Sequence, residues 1–152
     1  MALPGAGGRP QPAKTMQRPM ECFLAIDGYE TRLEVLARVE AIRPWIELPR
    51  ADTTIAENSQ AAFKQRAIDL FAENVKVRID GQNRNADVSR ADFVTVEANG
   101  VFSRSSPVPE VISDAIVGVT FVYDTPSIAE DVEVEWDLWT GESAELTFTT
   151  TD

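Results

Sequence analysis

Three acidic residues, Glu133, Glu135 and Asp137, form the group in this sequence whose type and spacing are most suggestive of a chemical site. They alternate with apolar residues, which predicts a strand that carries the carboxylates on one face, about 7 Å apart. Such a row is compatible with a calcium site, because calcium takes oxygen ligands and Asp124 or Asp131 could add carboxylates from the adjoining loop. It is also compatible with a carboxylate pair for glycoside hydrolysis. The simplest interpretation is a solvated strand face, because charged side chains commonly line exposed faces.

The chain has three tryptophans that could form a ligand platform, Trp45, Trp136 and Trp139. Trp136 shares the register of the apolar residues in the acidic strand, so we predict that it lies in the core. Trp139 has the opposite parity and stands at the end of the acidic face. Because tryptophan is enriched at binding hot spots, Trp139 is the best candidate for a partner contact. The alternative is that the strand ends before Trp139 and its ring folds back onto the core.

The sequence contains no histidine and one cysteine, Cys22, and this composition removes several kinds of chemistry. Without histidine there is no serine–histidine or cysteine–histidine pair and no histidine-ligated metal. A single cysteine excludes an intramolecular disulfide. Cys22 opens an apolar run, which favours a buried small hydrophobic residue over a reactive thiol. We therefore predict no catalytic residues, no cofactor and a protein that is not an enzyme.

The formal net charge is −11, from 25 acidic and 14 basic residues. This excess argues against unassisted binding to nucleic acid, which requires lysine and arginine to displace counterions from phosphate. Its simplest consequence is solubility, because like charge keeps molecules apart. No stretch approaches the roughly 18 consecutive apolar residues of a membrane-spanning helix. We therefore expect neither a nucleic-acid partner nor a membrane span in this chain.

The chain divides into a leader and one domain. Residues 1–20 are rich in proline and glycine and have no hydrophobic period, which predicts a flexible segment. Residues 21–152 have the length and composition of a single β-rich domain. Because the sequence ends directly after an alternating pattern, we expect this domain to be a fragment of a longer chain.

The clearest local pattern is a hairpin around Asp27-Gly28, with a second strand that runs to Ile42. A type I′ turn at this dipeptide gives one almost wholly apolar face. It predicts three cross-strand pairs: Ile26 with Tyr29, Leu24 with Thr31, and Cys22 with Leu33. At the second dipeptide of this kind, Asp80-Gly81, the same register would put Arg84 opposite Val77. A basic residue on an apolar face is unfavourable, so we predict a looser turn there.

The remaining patterns predict one helix and several further strands. An apolar stripe at helical spacing predicts a helix from about residue 58 to about residue 73, formed by Phe63, Ala67, Leu70 and Phe71. Residues 115–123 are apolar on both faces, as in a central strand, whereas residues 97–114 read as a surface loop. We predict a mainly β protein, an antiparallel, immunoglobulin-like β-sandwich with one inserted α-helix. The alternative is an α+β fold in which the helix packs on one antiparallel sheet.

Three stretches of the sequence together resemble a known class of domain: residues 27–36 (DGYETRLEVL), 71–81 (FAENVKVRIDG) and 117–139 (VGVTFVYDTPSIAEDVEVEWDLW). They are similar to the extracytoplasmic β-domain of bacterial envelope proteins that are secreted or held by membrane helices further along the chain. The resemblance implies a non-enzymatic structural or partner-binding role in the periplasm or at the cell surface. Its expected partner is a protein or the remainder of a longer envelope protein, and it brings no catalytic residues. The signal peptide and membrane segment of that class are not seen here, so the cytoplasm is the alternative compartment.

Overall fold

The computed structural model describes residues 18–48, 53–104, 106–138 and 146–151. In chain order its elements are β1 (Met20–Ile26), β2 (Glu30–Arg38), α1 (Val39–Ile42), β3 (Thr54–Ile55), α2 (Gln60–Asn74), β4 (Val75–Ile79), β5 (Gln82–Arg84), β6 (Val88–Glu97), β7 (Gly100–Ser103), β8 (Glu110–Val111), β9 (Ile116–Asp124), β10 (Val132–Trp136) and β11 (Leu146–Thr151). Eleven of the thirteen elements are strands, so the prediction of a mainly β protein is confirmed.

Six strands form the larger sheet, in the order β11-β1-β2-β9-β6-β7. Neighbouring strands are antiparallel, except that β11 runs parallel to β1. β9 lies between β2 and β6 and is buried on both faces from Ile116 to Phe121, which confirms the predicted central strand. On its outer face Gly118 makes room for neighbouring side chains, because an added Cβ would lie 3.3 Å from both Leu36 and Val94.

Helix α2 and a three-stranded sheet, in the order β10-β4-β5, form a second layer over the inner face of the larger sheet. The Phe63 ring stacks on Phe93 of β6 with centroids 5.6 Å apart, and Phe71 lies 5.9 Å from Trp136 of β10. The predicted apolar stripe of α2 is therefore its buried face. A helix packed on a largely antiparallel sheet fits the α+β alternative.

The first hairpin has the predicted faces but a different register. The observed pairs are Ile26 with Thr31, Leu24 with Leu33, and Cys22 with Val35. The register differs from the predicted one by two positions, and an even difference preserves the alternation of faces. Cys22, Leu24 and Leu33 are accordingly all buried in the core.

The turn of this hairpin is not type I′, because neither Asp27 nor Gly28 has a positive φ. The Asp27 carboxylate instead accepts hydrogen bonds from the N–H groups of Tyr29 (3.1 Å) and Glu30 (3.3 Å). Aspartate at the first position of a turn commonly bonds its own backbone in this way. The local side-chain bonds therefore move the turn one residue further along the chain than predicted.

The second Asp-Gly forms the tight turn, and the prediction of a looser one was wrong. Asp80 and Gly81 have φ values of 49° and 83°, as both central residues of a type I′ turn require. A distant segment holds Asp80 in place, because its Oδ1 accepts the N–H groups of Glu130 (2.9 Å) and Asp131 (3.0 Å). Arg84 consequently does lie opposite Val77.

Two predicted boundaries are also corrected. β2 ends at Arg38, and the four residues Val39–Ile42 form the short helix α1. A strand would point Ala41 and Ile42 to opposite faces, whereas the helix buries both of them. The predicted surface loop 97–114 contains β7, which forms a hairpin with β6, and β8.

Candidate functional site

Two of the three predicted metal ligands lie on the exposed face of the small sheet, where each has a base as its neighbour. The pairing of β10 with β4 puts Glu133 beside Arg78 and Glu135 beside Lys76. Arg78 Nη1 lies 3.1 Å from Glu133 Oε1, in an ion pair open to solvent. Opposite charges directly across a ladder stabilise a sheet face. The carboxylates of β10 are therefore part of a charge-balanced surface.

Asp137, the third predicted ligand, is exposed and follows the end of β10, where its N–H donates to the Asn74 carbonyl (3.0 Å). Within the described ranges, no group of three or more aspartate, glutamate, cysteine or histidine residues is arranged to hold a metal ion. A calcium site at Glu133, Glu135 and Asp137 stays a prediction from the sequence pattern.

The tryptophan predictions have different outcomes. Trp136 is buried, as its register predicted, and its indole N–H donates to the Leu138 carbonyl (3.0 Å). Trp139, the predicted partner contact, lies outside the described residues. Its role as a contact therefore stays a prediction.

A cleft of about 580 Å³ opens between the two layers and is the candidate functional site. The β4–β5 ladder stops at the Val77–Arg84 pair, and the chain then leaves the small sheet to reach β6. The two layers part at this point. The wall on the larger sheet comes from β2, β6 and β9 and consists of Leu33, Ser89, Phe121 and Tyr123. The opposite wall consists of Ala72, Val75, Lys76, Val77, Arg78, Asn83, Arg84, Asn85, Ala86 and Glu135.

Arg84 lies on the inner face of the small sheet, because it is directly opposite the buried Val77 and paired residues project to the same side. Its Nη2 atom donates to the Asp124 carbonyl (2.8 Å) and lies 3.4 Å from Asp87 Oδ2. The same Asp87 oxygen accepts the Asp124 N–H (2.7 Å). These bonds tie one edge of the guanidinium to the end of β9.

Tyr123 lines the cleft from the other layer and is 4% exposed. Burial raises the pKa of its phenol to about 12, and the positive charge of Arg84, the smaller influence, lowers the pKa. The phenol therefore keeps its proton at neutral pH and can donate a hydrogen bond. Arg84 and Tyr123 together place two kinds of donor in one cleft, whose lining combines polar and apolar side chains.

The arrangement is suited to binding. Its lining combines apolar side chains with several polar ones, and convergent polar groups are what fix the orientation of a ligand in small-molecule sites. Glu135 is the one carboxylate among the described residues that line the cleft.

Cys22 lies away from the cleft lining and is fully buried in the core. Burial raises the pKa of its thiol to about 12, so the reactive thiolate is disfavoured. The prediction that Cys22 is a small buried hydrophobic residue is confirmed.

The sequence carries a signal for Arg84. A tight turn at Asp80-Gly81 puts Arg84 opposite Val77, on an apolar face, where a base breaks the local pattern. A residue that breaks the local pattern is expected at functional sites, because sites are where the rules of folding are relaxed. By this criterion Arg84 is a candidate functional residue of the cleft.

In the part of the chain that the structure describes, no helix is long and apolar enough to cross a membrane. Comparison with known protein families, with curated proteins and with solved structures finds no match to this chain.

Proposed function

We propose that this chain is a non-enzymatic binding domain that holds its ligand in the cleft between its two layers. The main support for this proposal is the cleft itself. Its volume of about 580 Å³ falls within the range of about 300–1,000 Å³ that is usual for small-molecule sites. Its donors come from rigid strands and from a guanidinium that is already anchored, and such groups bind with little loss of conformational freedom.

The proposed place of action is the bacterial envelope, in the periplasm or at the cell surface. The support for this compartment is the resemblance of residues 27–36, 71–81 and 117–139 to extracytoplasmic β-domains. In this role the domain would serve as the partner-binding part of a larger envelope protein. Fractionation of the native protein in its source cells tests the compartment. Recovery with the envelope or periplasmic fraction is expected, and recovery with the cytoplasmic fraction would favour the alternative.

Titration of the ¹⁵N-labelled protein with a mixed set of neutral, cationic and anionic small molecules tests the binding function. We expect compounds that bind to shift the backbone amide signals of Leu33, Val77, Ser89 and Phe121. A matched variant, Ser89→Trp, fills the cleft from an exposed position and is expected to abolish these shifts. Shifts confined to other surfaces, or shifts that persist in Ser89→Trp, would contradict the proposed site.

The non-enzymatic part of the proposal has its own test. Glu135 borders the cleft, so Glu135→Gln would remove the carboxylate on which a hydrolase would depend. Glu97→Gln, at the exposed end of β6, is a control with the same change of charge. A hydrolytic activity that disappears in Glu135→Gln and survives in Glu97→Gln would overturn the assignment.

A further inference from the structure

We infer that the cleft takes a small organic anion with an apolar body, whose charged group is bound by Arg84. This inference rests on the proposed function and specifies the ligand class.

The charge of the lining is opposite to the charge of the whole chain. The sequence has 25 acidic and 14 basic residues, yet the described lining has three bases, Lys76, Arg78 and Arg84, against Glu135 alone. Lys76 and Arg78 are balanced by the glutamates of β10 across the ladder. Arg84 projects from the inner face and is ion-paired with Asp87, which is not among the lining residues, so Arg84 is the charge that a ligand would meet in the cleft.

The hydrogen bonds of Arg84 leave most of its donors available. Nη2 is used by the Asp124 carbonyl and Asp87, whereas Nε and Nη1 have no hydrogen-bond partner among the described residues. Both bidentate edges of a guanidinium include Nη2, so Nε and Nη1 can each offer single charge-assisted hydrogen bonds to a carboxylate or phosphate oxygen. Because Nη2 is already bound, the guanidinium is held in place before the ligand arrives. Tyr123 adds a protonated hydroxyl from the facing wall.

The rest of the cleft is suited to an apolar group. Leu33, Val77 and Phe121 form its floor and are 0%, 2% and 3% exposed, so the apolar surface that they offer is small and suits a compact apolar group. A ligand that is charged at one end and apolar at the other would satisfy both the donors and this floor.

Three probes of similar size distinguish the contribution of the charged group to affinity from that of the apolar body: phenylacetate, phenyl phosphate and the neutral phenylacetamide. Each is titrated into the ¹⁵N-labelled protein at pH 7 and constant ionic strength. At least one anion is expected to shift the amide signals of the cleft and to bind about tenfold or more tightly than the amide, because charge-assisted hydrogen bonds are the stronger ones. The preferred anion identifies the charged group as carboxylate or phosphate.

Substitutions of Arg84 and Arg90 test whether Arg84 is the residue that binds the charged group of the ligand. Arg84→Gln is expected to weaken anion binding about tenfold or more and to leave the amide unchanged, whereas Arg84→Lys retains part of the affinity. Arg90→Gln, which removes the same charge from an exposed position of β6, is the matched control and is expected to bind like the wild type. If Arg84→Gln does not fold, Arg84→Lys and the charge dependence of the wild type decide the question.

The outcomes separate this inference from the proposed function. If the amide binds in the cleft as tightly as both anions, the ligand class is wrong and the binding function stands. An equal loss of anion affinity in Arg84→Gln and Arg90→Gln would likewise overturn the role of Arg84. If no probe shifts the cleft signals, the inference fails, and the mixed set of compounds described above decides whether the cleft binds anything.

Discussion

Arg84 and Tyr123 are brought to one cleft from two different layers, and neither belongs to a recognisable motif. Arg84 reaches its position because the turn at Asp80-Gly81 fixes the register of β5. Tyr123 reaches its position because β9 is central and turns this side chain to the inner face. The surface acids Glu133 and Glu135, which stand out in the sequence, are instead balanced by their cross-strand neighbours.

Tyr123→Phe is expected to reduce the sensitivity of the protein to alkaline pH. The ordinary pKa of the phenol is 10.0, and in the folded protein burial raises it to about 12. The stability that depends on the protonated phenol is therefore fully present below pH 10 and is lost as the pH rises towards 12. Urea unfolding at pH 7 and pH 11 measures the effect, and the wild type should lose more free energy of unfolding than the variant. Equal losses would show that the phenol is not buried as described.

Calcium at millimolar concentration is expected to leave the melting temperature unchanged. A ligand that binds only the folded state raises stability in proportion to the logarithm of its concentration over Kd, so a functional site would raise the melting temperature. Arg78 and Lys76 lie beside Glu133 and Glu135, and their positive charges disfavour the binding of calcium there. A rise that disappears in the double variant Glu133→Gln/Glu135→Gln would establish the site that the sequence pattern suggested.

At the scale of elements, the two Asp-Gly dipeptides show how far a local pattern can predict structure. Alternation and helical period correctly predicted the buried faces of β1, β2, β4, β9 and α2. The turns were assigned the wrong way round, because identical dipeptides receive different partners. Asp27 bonds its own turn, whereas Asp80 is held by residues about fifty positions away.

Alanine at the two turn glycines is a matched test of this difference. An added Cβ meets nothing within 4 Å at either Gly28 or Gly81, but only Gly81 has a left-handed φ, of 83°. Gly81→Ala is expected to lower the free energy of unfolding by about 1–2 kcal/mol. Gly28→Ala should stay within about 1 kcal/mol of the wild type or gain stability, because alanine restricts the unfolded chain. Chemical denaturation measures both, and equal destabilisation would contradict the assigned turns.

At the scale of the whole molecule, the contact between the two layers determines both the core and the cleft. α2 fills one part of the interface with Phe63 and Phe71, and the small sheet covers the part beside it. The cleft lies where the ladder of the small sheet stops before the larger sheet ends. A change at the aromatic contacts should therefore affect the stability of the entire domain.

Phe63→Ala is expected to lower the free energy of unfolding by about 3–5 kcal/mol, because it leaves a cavity between the layers. Phe63 is fully buried and stacked on Phe93, whereas Phe102 is 44% exposed on the edge strand β7. Phe102→Ala, the matched control, should cost less than about 1 kcal/mol. Urea unfolding measures the free energy of unfolding of both variants, and comparable losses in the two would contradict the layer arrangement.

The sequence by itself determined what depends on neighbours along the chain. The period of apolar residues indicated which faces are buried, and the absence of histidine excluded imidazole chemistry. Only the tertiary structure decided which strands are adjacent, which Asp-Gly adopts a left-handed backbone and that Arg84 enters a cleft. The physical reason is that a pattern specifies the side of a strand on which a residue lies, but its partner is specified by contacts between distant segments. The cleft between the layers consists of such contacts, and no local pattern contains it.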